Sequence, residues 1–280
     1  MKTKFLILIV LLAGSTMLLA QPLNTTRFEE RTFSLGGGGT NLLDTYLSPL
    51  NYKGAHAVIS SERFKQTKAA SGRWFSQSFF ALHGDYTKTP SKNGLTIGGM
   101  ADYSYGCYYS LSPLGNKKQI TLYIGPQAQL RIGGIHNLRN SNNPAQLKLG
   151  VNVAASAMGK YNFSMRNTPM SLRLQADIPL LGAAFGPDYG QSYYEIFYLG
   201  QGKGCVHATS LHNNLSLRSN LCYSIELRPC TLRLTWMEDL YHWSLRGQQY
   251  RMFTHTLMIG FVRNLYRVVR DEETRKYMPY

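Results

Sequence analysis

Apolar and polar residues alternate with period two along much of this chain. In the run Ile120, Leu122, Ile124, Pro126, Ala128, Leu130, Ile132, the intervening residues are Thr121, Tyr123, Gly125, Gln127, Gln129 and Arg131. A helix would not separate the two classes in this way, so the run predicts a strand. Residues 147–163, 170–178, 95–110, 215–227 and 253–264 repeat the design. Weaker runs lie at 28–35, 55–64, 73–86, 192–199, 205–211 and 231–241. Together they predict about twelve antiparallel strands, or ten if residues 192–211 form an external hairpin.

Run length selects the architecture. Strands of soluble sandwiches average about 5–6 residues, whereas a tilted membrane strand needs about 9–11 to cross a bilayer. The clear runs reach the longer class. Their polar faces carry Asp102, Arg131, Arg173, Asp177, Arg218, Glu226 and Arg233, which would be poor material for a sandwich core. The expected fold is therefore an all-β, antiparallel transmembrane β-barrel, with those seven residues lining the lumen and the apolar faces turned to lipid.

Residues 1–20 read as a signal peptide: Lys2 and Lys4 start it, Phe5 to Leu12 form its apolar core, and Ala20 precedes the cut. The expected organisation is a leader over 1–20, a barrel over 21–266 and a periplasmic tail over 267–280. With the amino terminus in the periplasm, the short connections at 166–169 and 228–229 fall on the periplasmic side. The longer ones at 36–54, 134–145 and 182–191 fall outside. The leader and barrel together place the protein in a Gram-negative outer membrane.

Composition supports a membrane–water boundary. Charged residues make up 16% of the chain and there are 19 tyrosines, few charges beside many amphipathic rings. The formal charge is +15, or +13 without Lys2 and Lys4. Export and the lack of a nucleic-acid motif exclude nucleic acid as the partner of that charge. Outer-membrane lipids with anionic headgroups are the nearer partner; no protein partner is identified. Cys107, Cys205, Cys222 and Cys230 match no metal spacing. Cys222 and Cys230 fall on opposite strand faces, which argues against a bridge.

Few residues suggest chemistry. Gly36 to Gly39 lack the Lys-Ser/Thr pair and helix of a phosphate loop, and read as an external loop; residues 41–52 then fold into the mouth or cap it. His207 and His212 have no third partner, so neither a metal nor a cofactor is expected. His242 and Ser244 share one strand face, as a base and nucleophile must. In this they resemble the outer-membrane phospholipases, whose His-x-Ser is followed by Asn-Gly. Here Leu245-Arg246-Gly247 follows, so His242 and Ser244 are weak catalytic candidates and no enzyme is favoured.

Residues 43–50, LDTYLSPL, with Tyr193 to Phe197 and 207–217, resemble a family of secreted Gram-negative proteins catalogued as domain of unknown function 3316. That resemblance covers most of the mature chain and implies location and architecture without an activity. The favoured role is a binding or structural barrel, or a small-solute channel, with a closed or plugged lumen preferred because about 8 strands leave only a packed interior. Two alternatives stand beside it: a lipid-modifying hydrolase using His242 and Ser244, and a soluble periplasmic lipid carrier with an apolar interior.

Overall fold

A computed structural model describes residues 27–67, 72–111, 119–141, 143–227 and 230–267. The signal peptide at 1–20, the tail beyond Arg267 and the Arg228-Pro229 turn lie outside the described residues. The strands are β1 (Arg27–Asp44), β2 (Ser48–Gln66), β3 (Trp74–Lys88), β4 (Leu95–Ser110), β5 (Ile120–Asn137), β6 (Ala145–Met165), β7 (Thr168–Phe185), β8 (Val206–Ser210), β9 (Leu217–Leu227), β10 (Cys230–Leu245) and β11 (Gln248–Arg267). One short helix, α1 (Tyr193–Phe197), lies between β7 and β8.

β1 to β7 pair antiparallel in sequence order, β10 pairs with β9 and β11, and β1 closes on β11. β7 pairs with β9 through Asp177↔Arg218 and then with β8 from Leu181↔Ser210. β8 and β9 therefore occupy one strand position, interrupted by the turn that follows Ser210. The barrel has ten positions, not twelve. Two of the expected strands account for the difference: residues 192–199 hold α1, and 205–211 share a position with 215–227.

The helix has a local cause. Ser192 accepts from the Glu195 amide while the Glu195 carboxylate takes the Ser192 N–H at 2.7 Å, a reciprocal capping box that outweighs the apolar pattern. Gly36 to Gly39 also depart from expectation, since they sit within β1, paired with β11 on one side and β2 on the other. A Cβ on Gly38 would fall 1.7 Å from the His255 carbonyl oxygen, so the close strand approach requires glycine there.

Turns follow the expected parity. The amino-terminal end carries the Arg166-Asn167 hairpin, both residues at positive φ (49° and 65°), as a two-residue turn matching strand twist requires. The opposite end carries the β1–β2 turn at 45–47, the Arg246-Gly247 turn and the connections at 138–144 and 186–205.

Alternation assigns the faces. Phe33, Leu35, Ile59, Leu82, Ile97, Ile132, Val151, Leu174, Leu221, Leu234 and Ile259 point outward and are 43–62% exposed. Their neighbours Thr32, Ser34, Ser60, Asp102, Arg131, Gln175, Asn220, Arg233 and Thr256 are buried within the bore. At the amino-terminal end Trp74 and Tyr109 meet edge to face, and Tyr161 stacks on Phe163. Tyr86, Tyr189, Tyr194 and Tyr198 are exposed toward the other end. An apolar band between aromatic rims is the surface of a transmembrane β-barrel.

Candidate functional site

The bore is filled by layers stacked along its axis. At the amino-terminal end Phe64 stacks on Phe75 at 5.3 Å and meets Tyr108, Tyr123 and Phe28 edge on. These inward rings are the reason alternation weakens here: on β2 the inward Phe64 stands between Arg63 and Lys65, so the apolar residue lies on the lumen side.

Just above lies the lower ionic layer. Arg173 grips Glu62 with both terminal nitrogens, at 2.8 and 2.6 Å. The two residues sit on β7 and β2, five strand positions apart in a ring of ten, so the pair spans the full bore. Arg233 bonds Glu30 at 2.6 Å, Thr32 at 3.0 Å and Ser224 at 2.8 Å. Lys160 approaches Glu30 at 3.6 Å from the opposite wall. Each carboxylate thus meets at least two cations, the arrangement that offsets the cost of burying charge.

An amide layer follows. Tyr108 donates to Gln77 at 2.7 Å and meets Ser156 at 2.8 Å, while Gln77 and Gln175 bond across the bore. Asp177 belongs here: it takes Ser156 and the Gln175 amide at 3.0 Å.

The central ionic layer contains two acids and two guanidiniums. Arg131 holds Asp102 in a fork at 2.7 and 2.5 Å, and Arg218 holds Asp239 at 2.9 and 3.0 Å. Arg218 also bonds Asp102, and Arg131 reaches Asp239 at 3.5 Å. The Arg131 guanidinium lies 3.7 Å over the Tyr241 ring. His83 approaches Asp102 at 3.3 Å and His56 at 3.3 Å, and His56 bonds Asp85 at 2.8 Å. His83, Asp102 and Asp239 have ligand atoms within 4.8 Å of one another, but the two guanidiniums already occupy and neutralise both carboxylates. This cluster is an ion-pair network, and the residues do not fit a metal ion.

The mouth is closed differently. Leu42, Tyr46, Leu47, Tyr52, Tyr241, Trp243 and Tyr250 form a buried cluster. Lys148 and Asp44 meet at 2.8 Å across the bore, with Lys148 3.9 Å over Tyr250. The 186–205 connection lies over the rim. Tyr46 donates to the Gln191 carbonyl at 2.7 Å, and the Leu147 amide donates to the Tyr193 hydroxyl at 2.6 Å. Gln248 donates to the Pro187 carbonyl at 2.9 Å, and Arg246 pairs with Asp188 at 2.7 Å. Burial pushes the Tyr46 and Tyr193 hydroxyls up to about 12 and raises the Cys205 thiol. Backbone and side-chain bonds from Ser192 hold Glu195 below the usual carboxylate range.

Internal space is scarce. The cavities beside the central and lower ionic layers each leave about 20 Å³ for the centres of water-sized molecules, enough for a water. A third, at the mouth between Asp44, Lys148 and Trp243, is of the same size.

Asp102, Arg131, Arg173, Asp177, Arg218 and Arg233 lie inside the bore. Glu226 does not join them: it is exposed near the amino-terminal rim, below the lower layer, with no ion-pair partner among the described residues. Lys148 and Lys160, on the polar face of the clear 147–163 run, complete the layers with Glu30, Glu62, Asp239, Asp44 and Asp85, five acids that escaped the sequence reading. Their signal was the period-two continuation of weak runs, such as Glu30, Thr32, Ser34 against Phe33 and Leu35.

His242 and Ser244 share the outward face of β10, opposite Arg251 and Gln249. No hydrogen bond joins them among the described residues, and no carboxylate orients His242. His207 bonds the Gly186 carbonyl at 2.9 Å and His212 bonds Ser210 at 2.5 Å, so each has a structural partner. All four cysteines are free.

The profile of the family described as "Protein of unknown function (DUF3316)" matches residues 4–272. The chain belongs to that family. No curated protein matches significantly. Among solved structures, the transport unit of the autotransporter AIDA-I from Escherichia coli is 11% identical, with 93% of this chain and 96% of that one covered at a TM-score of 0.46. The outer membrane protease OmpT from Escherichia coli is 6% identical (90% and 100% covered, TM-score 0.48). The translocator domain of the autotransporter NalP from Neisseria meningitidis is 11% identical (95% and 95%, TM-score 0.41). Likenesses at this level carry no inference about activity.

Proposed function

We propose that this chain is a closed outer-membrane barrel that acts as a binding or structural protein through its external end, and not as an open channel. The observation that carries the reading is the stack of cross-bore ion pairs, with aromatic clusters at both ends and, among the described residues, cavities of single-water size beside the ionic layers. A small-solute channel needs a continuous wet path, and the Arg173–Glu62 pair lies across it.

The other readings are less supported. A soluble lipid carrier needs an apolar interior, whereas this interior holds the charges. A hydrolase using His242 and Ser244 lacks a group to orient the imidazole. The outward apolar band supports residence in a bilayer, reached through the expected leader. The test is membrane fractionation of the expressed protein, followed by electrophoresis with and without boiling. Residence in the outer-membrane fraction with heat-modifiable migration is the expected result. Recovery as a detergent-free periplasmic monomer would overturn it.

A further inference from the structure

The outward surface is not uniform. Two neighbouring cross-strand rows run over β4 to β7: Tyr103–Leu130–Val151–Ala183 and Tyr105–Ala128–Val153–Leu181. Each row has one alanine where its neighbour has a large side chain, and the two alanines are staggered. Between them lies an open groove of about 500 Å³, lined by Tyr103, Ala128, Leu130, Val151, Val153 and Leu181. That volume is in the range of ligand sites.

The backbone shapes the groove. Register slips between Val153 and Ala154, where Val153 faces Leu181 and Ala154 faces Pro179, leaving Leu180 as an extra residue. The bulge adds local twist and re-aims side chains, and Leu181 stands 65% exposed at the groove's edge. Pro179 brings no N–H to a ladder already interrupted there, since Ile178 to Leu180 pair with neither β8 nor β9.

The groove's surroundings identify its occupant. It is continuous with the outward apolar faces of the neighbouring strands, and its lining residues carry no charge. Toward the external rim, β7 continues to Phe185, which stacks on Tyr193 and Phe197 at 6.4 Å, with Tyr194 and Tyr198 stacked at 4.8 Å and exposed beside them. An oily trough that leads to a collar of amphipathic rings matches a molecule with a hydrocarbon tail and a polar head. We propose that the groove over β4 to β7 is a seat for one acyl chain of an outer-leaflet lipid, whose polar end lies at the α1 collar. The inference rests on the reading of the chain as a membrane barrel.

The test uses the full chain in vesicles of phosphatidylethanolamine and phosphatidylglycerol that contain a phosphatidylethanolamine with a photoactivatable acyl chain. Adducts should concentrate in the peptides that carry 128–130, 151–153 and 181–183. The variant Ala128→Phe/Ala183→Phe should reduce them about tenfold, comparable to losing the burial of about two methylenes. Ala57→Phe, outward on β2 with β3 between it and the groove, should leave them unchanged. Adducts spread evenly around the ten strands, or undiminished in the filled variant, would overturn the seat. So would a dimer in native mass spectrometry that shields these peptides, since a second copy would then be the occupant. Failure of the protein to enter vesicles at all would instead contradict the barrel reading on which the seat depends.

Discussion

The centre of the bore and its external mouth are both closed, but by different physics. At the centre, side chains from opposite walls meet as ion pairs: Arg173 with Glu62, Lys160 with Glu30, Arg218 with Asp102 and Arg131 with Asp239. At the mouth, a hydrophobic cluster and a hydrogen-bonded connection cover the rim, and the Arg246–Asp188 pair there is half exposed. A buried pair losing one partner leaves an uncompensated charge, so the centre is all-or-none. An exposed pair contributes about 0–1 kcal/mol, so the mouth yields gradually. The fixed part of the barrel is thus its middle, and the adaptable part is its mouth.

Four outcomes would sharpen or break this contrast. Glu62→Ala takes both short hydrogen bonds from Arg173, leaving it Glu30 at 3.9 Å, and removes a contact of Arg233; it should cost about 3–5 kcal/mol in urea unfolding from detergent micelles. A loss below about 1 kcal/mol would show that the cross-bore pairs do not hold the centre. Ile259→Arg puts a charge on the apolar exterior and should cost about 2–4 kcal/mol when folding is measured in lipid vesicles. A neutral effect there would place that face outside the hydrocarbon.

At the mouth the effects should shrink. Tyr193→Phe removes the hydroxyl that accepts from the Leu147 amide, with a cost of about 1 kcal/mol. Faster proteolysis within 186–205, with the barrel core intact, is the expected readout. Cleavage unchanged from the parent would mean the connection is held by other contacts.

The smallest effect concerns pH. Glu195 is held below its ordinary value by the bonds from Ser192, so its contribution to α1 is complete above the unfolded value of about 4.3. It is lost as pH falls through the lower folded value. Amide exchange at 192–195, corrected for intrinsic rate, should rise only below about pH 4. A rise that begins near neutrality would assign the loosening to another group.

Much of this arrangement was legible in the chain. Strand faces could be read wherever β-branched or large aliphatic residues alternate with polar ones, as over 120–132, because each side chain reports its own side. Gly36 to Gly39 report no side, which is why a central strand segment reads as a loop. Residues 192–199 read as a strand because their apolar density outweighs Ser192 and Glu195, the two residues that cap a helix. The ion-pair partners split along the same line. Asp102 and Arg131 lie in clean runs, whereas Asp239 follows the inward Met237 and Glu62 precedes the inward Phe64. An apolar residue on the polar face blurs the period there. Glu226 has the right parity but lies too near the rim, and parity says nothing about depth. The groove over β4 to β7 was not readable, since it depends on cross-strand register and on one bulge.

The claim that the bore is closed by pairs across it is tested most directly by single-molecule conductance in planar bilayers, with insertion verified independently by fluorescence of a labelled chain. Inserted protein should carry no stepwise current, while Glu62→Ala, where it still inserts, should show transient openings. Steady conductance steps from the unaltered protein would contradict the account.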